Sequence, residues 1–130
     1  MVNTIHNPKS VHAPVGDIYS HGAEVPPNSR VLWIAGEVGI TPEGKVVKGF
    51  EAQARLAWKN IAETLKSAGM DYGDLVKMDA YLVGLEYYDS YVDILRDILG
   101  DSKPASKAII VPALVLPGLL IEVEVVAAKA

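Results

Sequence analysis

Two stretches of this sequence, VLWIAGEV (31–38) and AIIVPALVL (108–116), carry aliphatic residues at both odd and even positions. In a β-strand successive side chains point to opposite faces, so strands of this kind need both faces dry. That requirement narrows the architecture more than any other feature. Such strands must be sandwiched between two layers, and the rest of the chain has to supply those layers or borrow one.

The covering layer on one side is legible. From Phe50 to Ala68 the apolar residues Phe50, Ala54, Ala57, Trp58, Ile61, Leu65 and Ala68 recur at spacings of three and four, while Lys59, Glu63 and Lys66 fall elsewhere on the wheel. This predicts an amphipathic helix, with Gly69 placed to cap its end in the left-handed conformation. A second helix is expected over 86–99, with Tyr88, Tyr91, Val92, Leu95, Ile98 and Leu99 on its apolar stripe. Between them LVKMDAYLV (75–83) alternates with period two, setting Val76, Met78, Ala80 and Leu82 against Lys77, Asp79 and Tyr81. DIYSHGAEV (17–25) and RVLWIAGEV (30–38), joined by PPNS, read as a hairpin. The first 17 residues lack a period and are expected to lie over the surface, and LLIEVEVVA (119–127) completes the strands. The order β, β, α, β, α, β, β predicts an α+β sandwich of two layers, a mixed sheet with two helices on one face. Two helices cover one face only. The other apolar face is therefore expected to be buried against further copies of the chain.

At 130 residues the chain has the size of a single domain spanning 1–130. No apolar run approaches the roughly 20 residues that cross a bilayer, and MVNTIHNPKS lacks the apolar stretch of a signal peptide, so no membrane partner and a cytoplasmic location are expected. The absence of cysteine excludes disulfides and thiolate chemistry. Twelve basic against sixteen acidic residues, without basic runs, leave no electrostatic footprint for nucleic acid.

Residues able to carry chemistry are few. Glu122 and Glu124 share a strand face, and two carboxylates among aliphatics must pair with a cation such as Lys77 or Lys107, reach water, or face a ligand. Tyr19 and His21, with Glu37 on the expected hairpin partner, combine proton-donating and proton-accepting groups. The common reading of tyrosines and histidines on a strand is surface decoration. His6, His12 and His21 fit no ligand spacing on one element, so no metal site is expected. Phosphate-binding glycine loops and nucleophile elbows are absent from the sequence.

The succession GDIYSHGAEV, VLWIAGEVGITPEGKVV, QARLAWKNIAETLKSAGMDYGDLVKMDAYLV, PASKAIIV and LIEVEVVA resembles the YjgF/RidA family across roughly residues 13 to 128. The resemblance implies a chorismate mutase-like fold, a homotrimer, and small-molecule clefts between neighbouring subunits. It implies hydrolysis of reactive enamines and imines, such as 2-aminoacrylate, to a keto acid and ammonia without any cofactor. Some relatives have been described as endoribonucleases, a reading that the acidic balance of this chain does not favour.

Carried over position by position, the resemblance places the family's tyrosine at Tyr19 and its water-positioning glutamate at Glu122. It places the substrate-contacting segment of the second strand at Ala35, Gly36 and Glu37, where a serine and a glutamine are usual on either side of the glycine. An asparagine of the second helix is replaced by Val92. The arginine that grips the substrate carboxylate falls at Ser106, since Pro104 and Ala105 match the residues before it. A guanidinium holds a carboxylate through two charge-assisted bonds of roughly 1.5–3 kcal/mol each, against about 1 for a neutral hydroxyl. Strand alternation turns Lys107 away from the face of Ser106. The loss favours a neutral or cationic ligand, unless a neighbouring copy contributes Arg30 or Lys103. It also leaves open a trimeric binding or regulatory protein that kept the clefts without the reaction.

Overall fold

The computed structural model describes residues 2–130. Six strands and two helices follow in the order β1 (Thr4–His6), β2 (Gly22–Glu24), β3 (Arg30–Val38), α1 (Phe50–Ser67), β4 (Leu75–Leu82), α2 (Tyr88–Leu99), β5 (Ala105–Ile110) and β6 (Ile121–Lys129). The main sheet is mixed and four-stranded, ordered β3-β6-β4-β5, with β6 antiparallel to both its neighbours and β4 parallel to β5. The α+β class, with two helices and a mixed sheet, is thus the observed one.

The core lies between the helices and one sheet face. Phe50, Ala54, Ala57, Trp58, Ile61 and Leu65 of α1 are buried as the periodicity predicts, and Gln53 joins them. Met78, Ala80 and Leu82 of β4 and Ile121, Val123, Val125 and Ala127 of β6 meet that layer from the sheet. In β4 a register shift after Leu75 puts Leu75 into the core in place of Val76, which stays half-exposed. Gly69 takes φ +71 as expected of a cap, and the Met70 amide donates to the Leu65 carbonyl at 2.9 Å to close the helix end.

Three expectations fail. The leader is not all irregular, because Thr4–His6 pairs with Gly22–Glu24 as a separate two-stranded ribbon. Consequently β2 and β3 form no hairpin. Arg30–Val38 finds in β6 a nine-residue strand with a continuous apolar face, against which three residues of β2 cannot compete, and pairs with it from Arg30↔Lys129 onward. Third, the strand expected at 108–116 is displaced to Ala105–Ile110. Its ladder ends with the Val111 amide on the Leu82 carbonyl at 2.9 Å, just before Pro112, which has no N–H to extend it.

The sheet face opposite the helices is largely uncovered by this chain. Trp33, 77% exposed, stands there in register with Val126, and Val31 and Ile109 are exposed as well. Among the described residues no helix is long and apolar enough to cross a membrane.

Candidate functional site

Glu122 sits on the uncovered face at the centre of the sheet, with Val38 of β3 on one side of it and Tyr81 of β4 on the other. Glu124 follows on the same face, opposite Asp79. Of the two cations that might have neutralised them, Lys77 is engaged elsewhere, its Nζ 3.2 Å from Asp79 Oδ1, and Lys107, beside Asp79, forms no ion pair with either glutamate. Among the described residues neither glutamate has an ion-pair partner.

The strand beside Glu122 is irregular at the family's substrate-contacting segment. Between Ile34 and Glu37 β3 contains one more residue than β6, a bulge that includes Ala35 and Gly36. A bulge of this kind re-aims the residues around it. Here it brings backbone against the carboxylate, since a Cβ on Gly36 would stand 2.9 Å from Glu122 Cδ and collide with the carboxylate oxygen. Only glycine permits this approach. Ala35 lines a cavity of about 600 Å³ on the same face, together with Trp33, Lys77, Asp79 and Glu124.

Glu37 is close enough to feel Glu122. Burial, and secondly the Glu122 charge, raise its carboxyl above the ordinary range. The folded chain therefore holds this proton more tightly than the unfolded chain, and stability falls as pH rises from the ordinary carboxylate range through the raised value. Glu37→Gln removes that penalty. It is expected to raise the Tm at neutral pH, by a margin that shrinks as pH falls into the ordinary carboxylate range, in paired thermal melts.

Tyr19 and Ser106 belong to a second cluster. The segment carrying Tyr19 lies along the start of β5 through a parallel Ser20–Ala105 bridge, with the Ser20 amide on the Pro104 carbonyl at 3.1 Å. Register sets Ser106 beside the fully buried Met78 on the helix side, and Lys107 beside Asp79 on the other. Tyr19, Tyr88, Tyr91 and Ser106 then share a cavity of about 350 Å³. The Tyr19 hydroxyl accepts from the Val15 amide at 3.1 Å. Val92 is nearly buried and lines an adjoining cleft with Tyr88 and Arg96.

The cluster of Tyr19, His21 and Glu37 expected from a β2–β3 hairpin does not form, because Glu37 is on a strand paired with β6. His21 instead turns back on the leader, its Nε2 2.6 Å from the His12 carbonyl and its ring edge-on to His12 at 4.8 Å. His6 stands apart beside Glu24 at 3.5 Å. The two alternative cations are held within the chain: Arg30 donates to the Ala68 carbonyl at 3.1 Å, and Lys103 pairs with Asp17 at 3.0 Å.

The site residues thus divide into two groups. Glu122, Gly36 and Ala35 gather on the open face where β3 meets β6, with Glu37 in register with the buried Val123 on the helix side, while Tyr19, Ser106 and Val92 gather where β5 meets α2. Ser106 and Glu122 point to opposite faces of the sheet. Sequence reasoning missed Tyr91 and Tyr88 as lining residues, since at helical spacing they read as an apolar stripe. The signal available was the second tyrosine pair at 88 and 91, too polar at one end for a dry core.

Comparison with known proteins gives a consistent picture. A family model described as Endoribonuclease L-PSP matches residues 10–129. A RutC family protein of Aquifex aeolicus is 35% identical over 128 residues, covering 96% of this chain and 98% of its own. The 2-iminobutanoate/2-iminopropanoate deaminase of Mus musculus is 33% identical over 113 residues, covering 85% of this chain and 81% of its own. Among solved structures, YyfB of Yersinia pestis, a protein of unknown function in the conserved Rid protein family, matches with a TM-score of 0.90 at 30% identity. It covers 99% of this chain and 100% of its own.

Proposed function

This chain belongs to the YjgF/RidA family, and from that premise we propose that it adds water to small reactive imines or enamines in a cleft between copies of itself, without a cofactor. The observation that carries this reading is Glu122, a carboxylate without an ion-pair partner among the described residues, lying against the Gly36 backbone on an open sheet face. Similarity to imine deaminases supplies the reaction class.

In this reading the Glu122 carboxylate takes a proton from water as the water oxygen bonds to the imine carbon, and the C=N electron pair moves to nitrogen. The proton taken up by Glu122 returns to that nitrogen, and the hydroxyl proton follows it there as the carbonyl forms, so that ammonia leaves and the carboxylate is restored. An enamine first takes a proton on carbon to become the imine.

Tyr19 and Ser106 cannot reach this centre within one chain, because the sheet separates them from Glu122. A second copy laying its β5 edge over the first copy's open face would unite the two groups, and it would bury Trp33, Val31 and Ile109 at the same time. A homotrimer satisfies both needs with one repeated contact. Light scattering is expected to give particles of three times the 13.9 kDa chain mass. A monomer in solution would remove the cleft from the proposal.

Turnover tests the reaction itself. Imines generated in place by oxidases, from amino acids and from uncharged amines, are expected to lose ammonia faster with the protein than without it. Ser106 in the arginine's place favours one competing reading, a trimeric binding or regulatory protein. That protein would be stabilised thermally by ligands yet release no product from any imine.

A further inference from the structure

Tyr91 is 1% exposed, and its hydroxyl is buried without a hydrogen-bond partner among the described residues. A buried unpaired phenol is destabilising, so its retention at the wall of a cavity points to a partner from outside the chain. The Ser106 hydroxyl is near enough to pull the phenol's pKa downward, against the effect of burial, but the pair does not reach hydrogen-bond geometry. Burial first, then Tyr88 and Asp79, push the Tyr91 phenol far above its ordinary range. It is therefore a permanently neutral donor.

The cavity around it is about 350 Å³, within the range of small-ligand sites, and is walled by Tyr19, Tyr88, Val15 and Ile18, with the exposed Lys107 also lining it. The hydroxyls of Tyr91 and Ser106 are polar groups at its helix side, where Tyr88 also lines it. A carboxylate entering here would meet the solvent-exposed point charge of Lys107 but no guanidinium fork to replace its hydration, a larger penalty than for an uncharged group of similar shape. An amide or ketone oxygen takes one hydrogen bond from the phenol and another from the serine and leaves no charge buried.

We propose that Tyr91, with Ser106, is the specificity-determining pair of this site and selects ligands bearing an uncharged carbonyl, of the carboxamide class, over the corresponding acids. The pair replaces a charged grip by a neutral one. The inference rests on the water-addition reading for what happens next to the bound molecule, but the binding preference stands independently of turnover.

A matched pair of stable probes tests it, 2-oxobutanamide and 2-oxobutanoate, with affinities measured by calorimetry on the full-length protein. The amide is expected to bind at least about tenfold tighter than the acid. Tyr91→Phe, which keeps the ring and the packing, is expected to weaken the amide about tenfold while changing the acid little. Ser106→Arg is expected to reverse the order. Equal or tighter binding of the acid by the unaltered protein, binding of neither probe, or no effect of Tyr91→Phe overturns the inference. Imine turnover separates it from the reading it rests on. Amide preference without turnover of any imine would retain the binding pair and sink the hydrolase, whereas faster turnover of acid imines than of uncharged ones would do the reverse.

Discussion

Glu122→Gln is expected to lower kcat for imine hydrolysis by about 10²–10⁴-fold while leaving ligand affinity and the melting temperature close to those of the unaltered protein. The range is that of a positioned general base, and an amide of the same size cannot accept the water proton. The geometry makes the substitution clean. Glu122 has no ion-pair partner among the described residues, so removing its charge strands no buried cation. Its removal also releases Glu37 from one source of its raised proton affinity. Single-turnover measurements with a saturating imine separate a lost chemical step from lost binding. Retention of most of the rate would show that water is activated elsewhere, and the proposed mechanism would fall.

Much of this arrangement was legible in the sequence where periodicity is strong. The α1 stripe, the core face of β4 beyond Met78, and the Gly69 cap follow from spacing, because packing an amphipathic helix on a pleated sheet leaves little freedom. Strand partnership was less legible. RVLWIAGEV reads the same whether it pairs with GAE or with LLIEVEVVA, and only the length of available apolar partner decides. The resemblance placed Glu122 and Ser106 at their positions in the chain, but not on opposite faces of one sheet, a fact of register that emerges when β4 selects both neighbours. Tyr91 and Gln53 were hidden for a common reason. Each is a polar group inside an otherwise apolar helical face, and hydrophobic pattern is blind to the hydrogen bond that such a group was placed to make.

Gln53 gives the largest expected effect on stability. Its side chain is buried in α1 at 1% exposed, donating through Nε2 to the carbonyls of Val47 at 3.0 Å and Gly118 at 2.8 Å and accepting through Oε1 from the Leu120 amide at 2.8 Å. Three backbone groups from two loops thus depend on one amide. Gln53→Leu keeps most of the volume, so the effect is not that of a cavity, but it leaves two carbonyls and one N–H without their partner. At roughly 1–3 kcal/mol for each buried group left unpaired, and with some of them reaching water as the loops relax, the loss should be about 3 kcal/mol or more. Urea titration should show a lower midpoint with an unchanged slope, the mark of a less stable native state. Gln53→Glu is the sharper probe. It preserves the acceptor for Leu120 and removes both donors, so it should cost at least as much, since the carboxylate would face two carbonyl oxygens in a dry site. Gly39 reinforces the dependence, for a Cβ there would sit 2.5 Å from Gln53 Cα, and β3 can therefore press α1 closely enough to seat the amide. The Gly118–Leu120 segment held by Gln53 leads directly into β6 and Glu122. Loss of the amide should consequently lower turnover in protein that is still folded, at temperatures well below the melt. If Gln53→Leu melts with the unaltered protein and turns over at its rate, the anchor assigned to this residue is wrong.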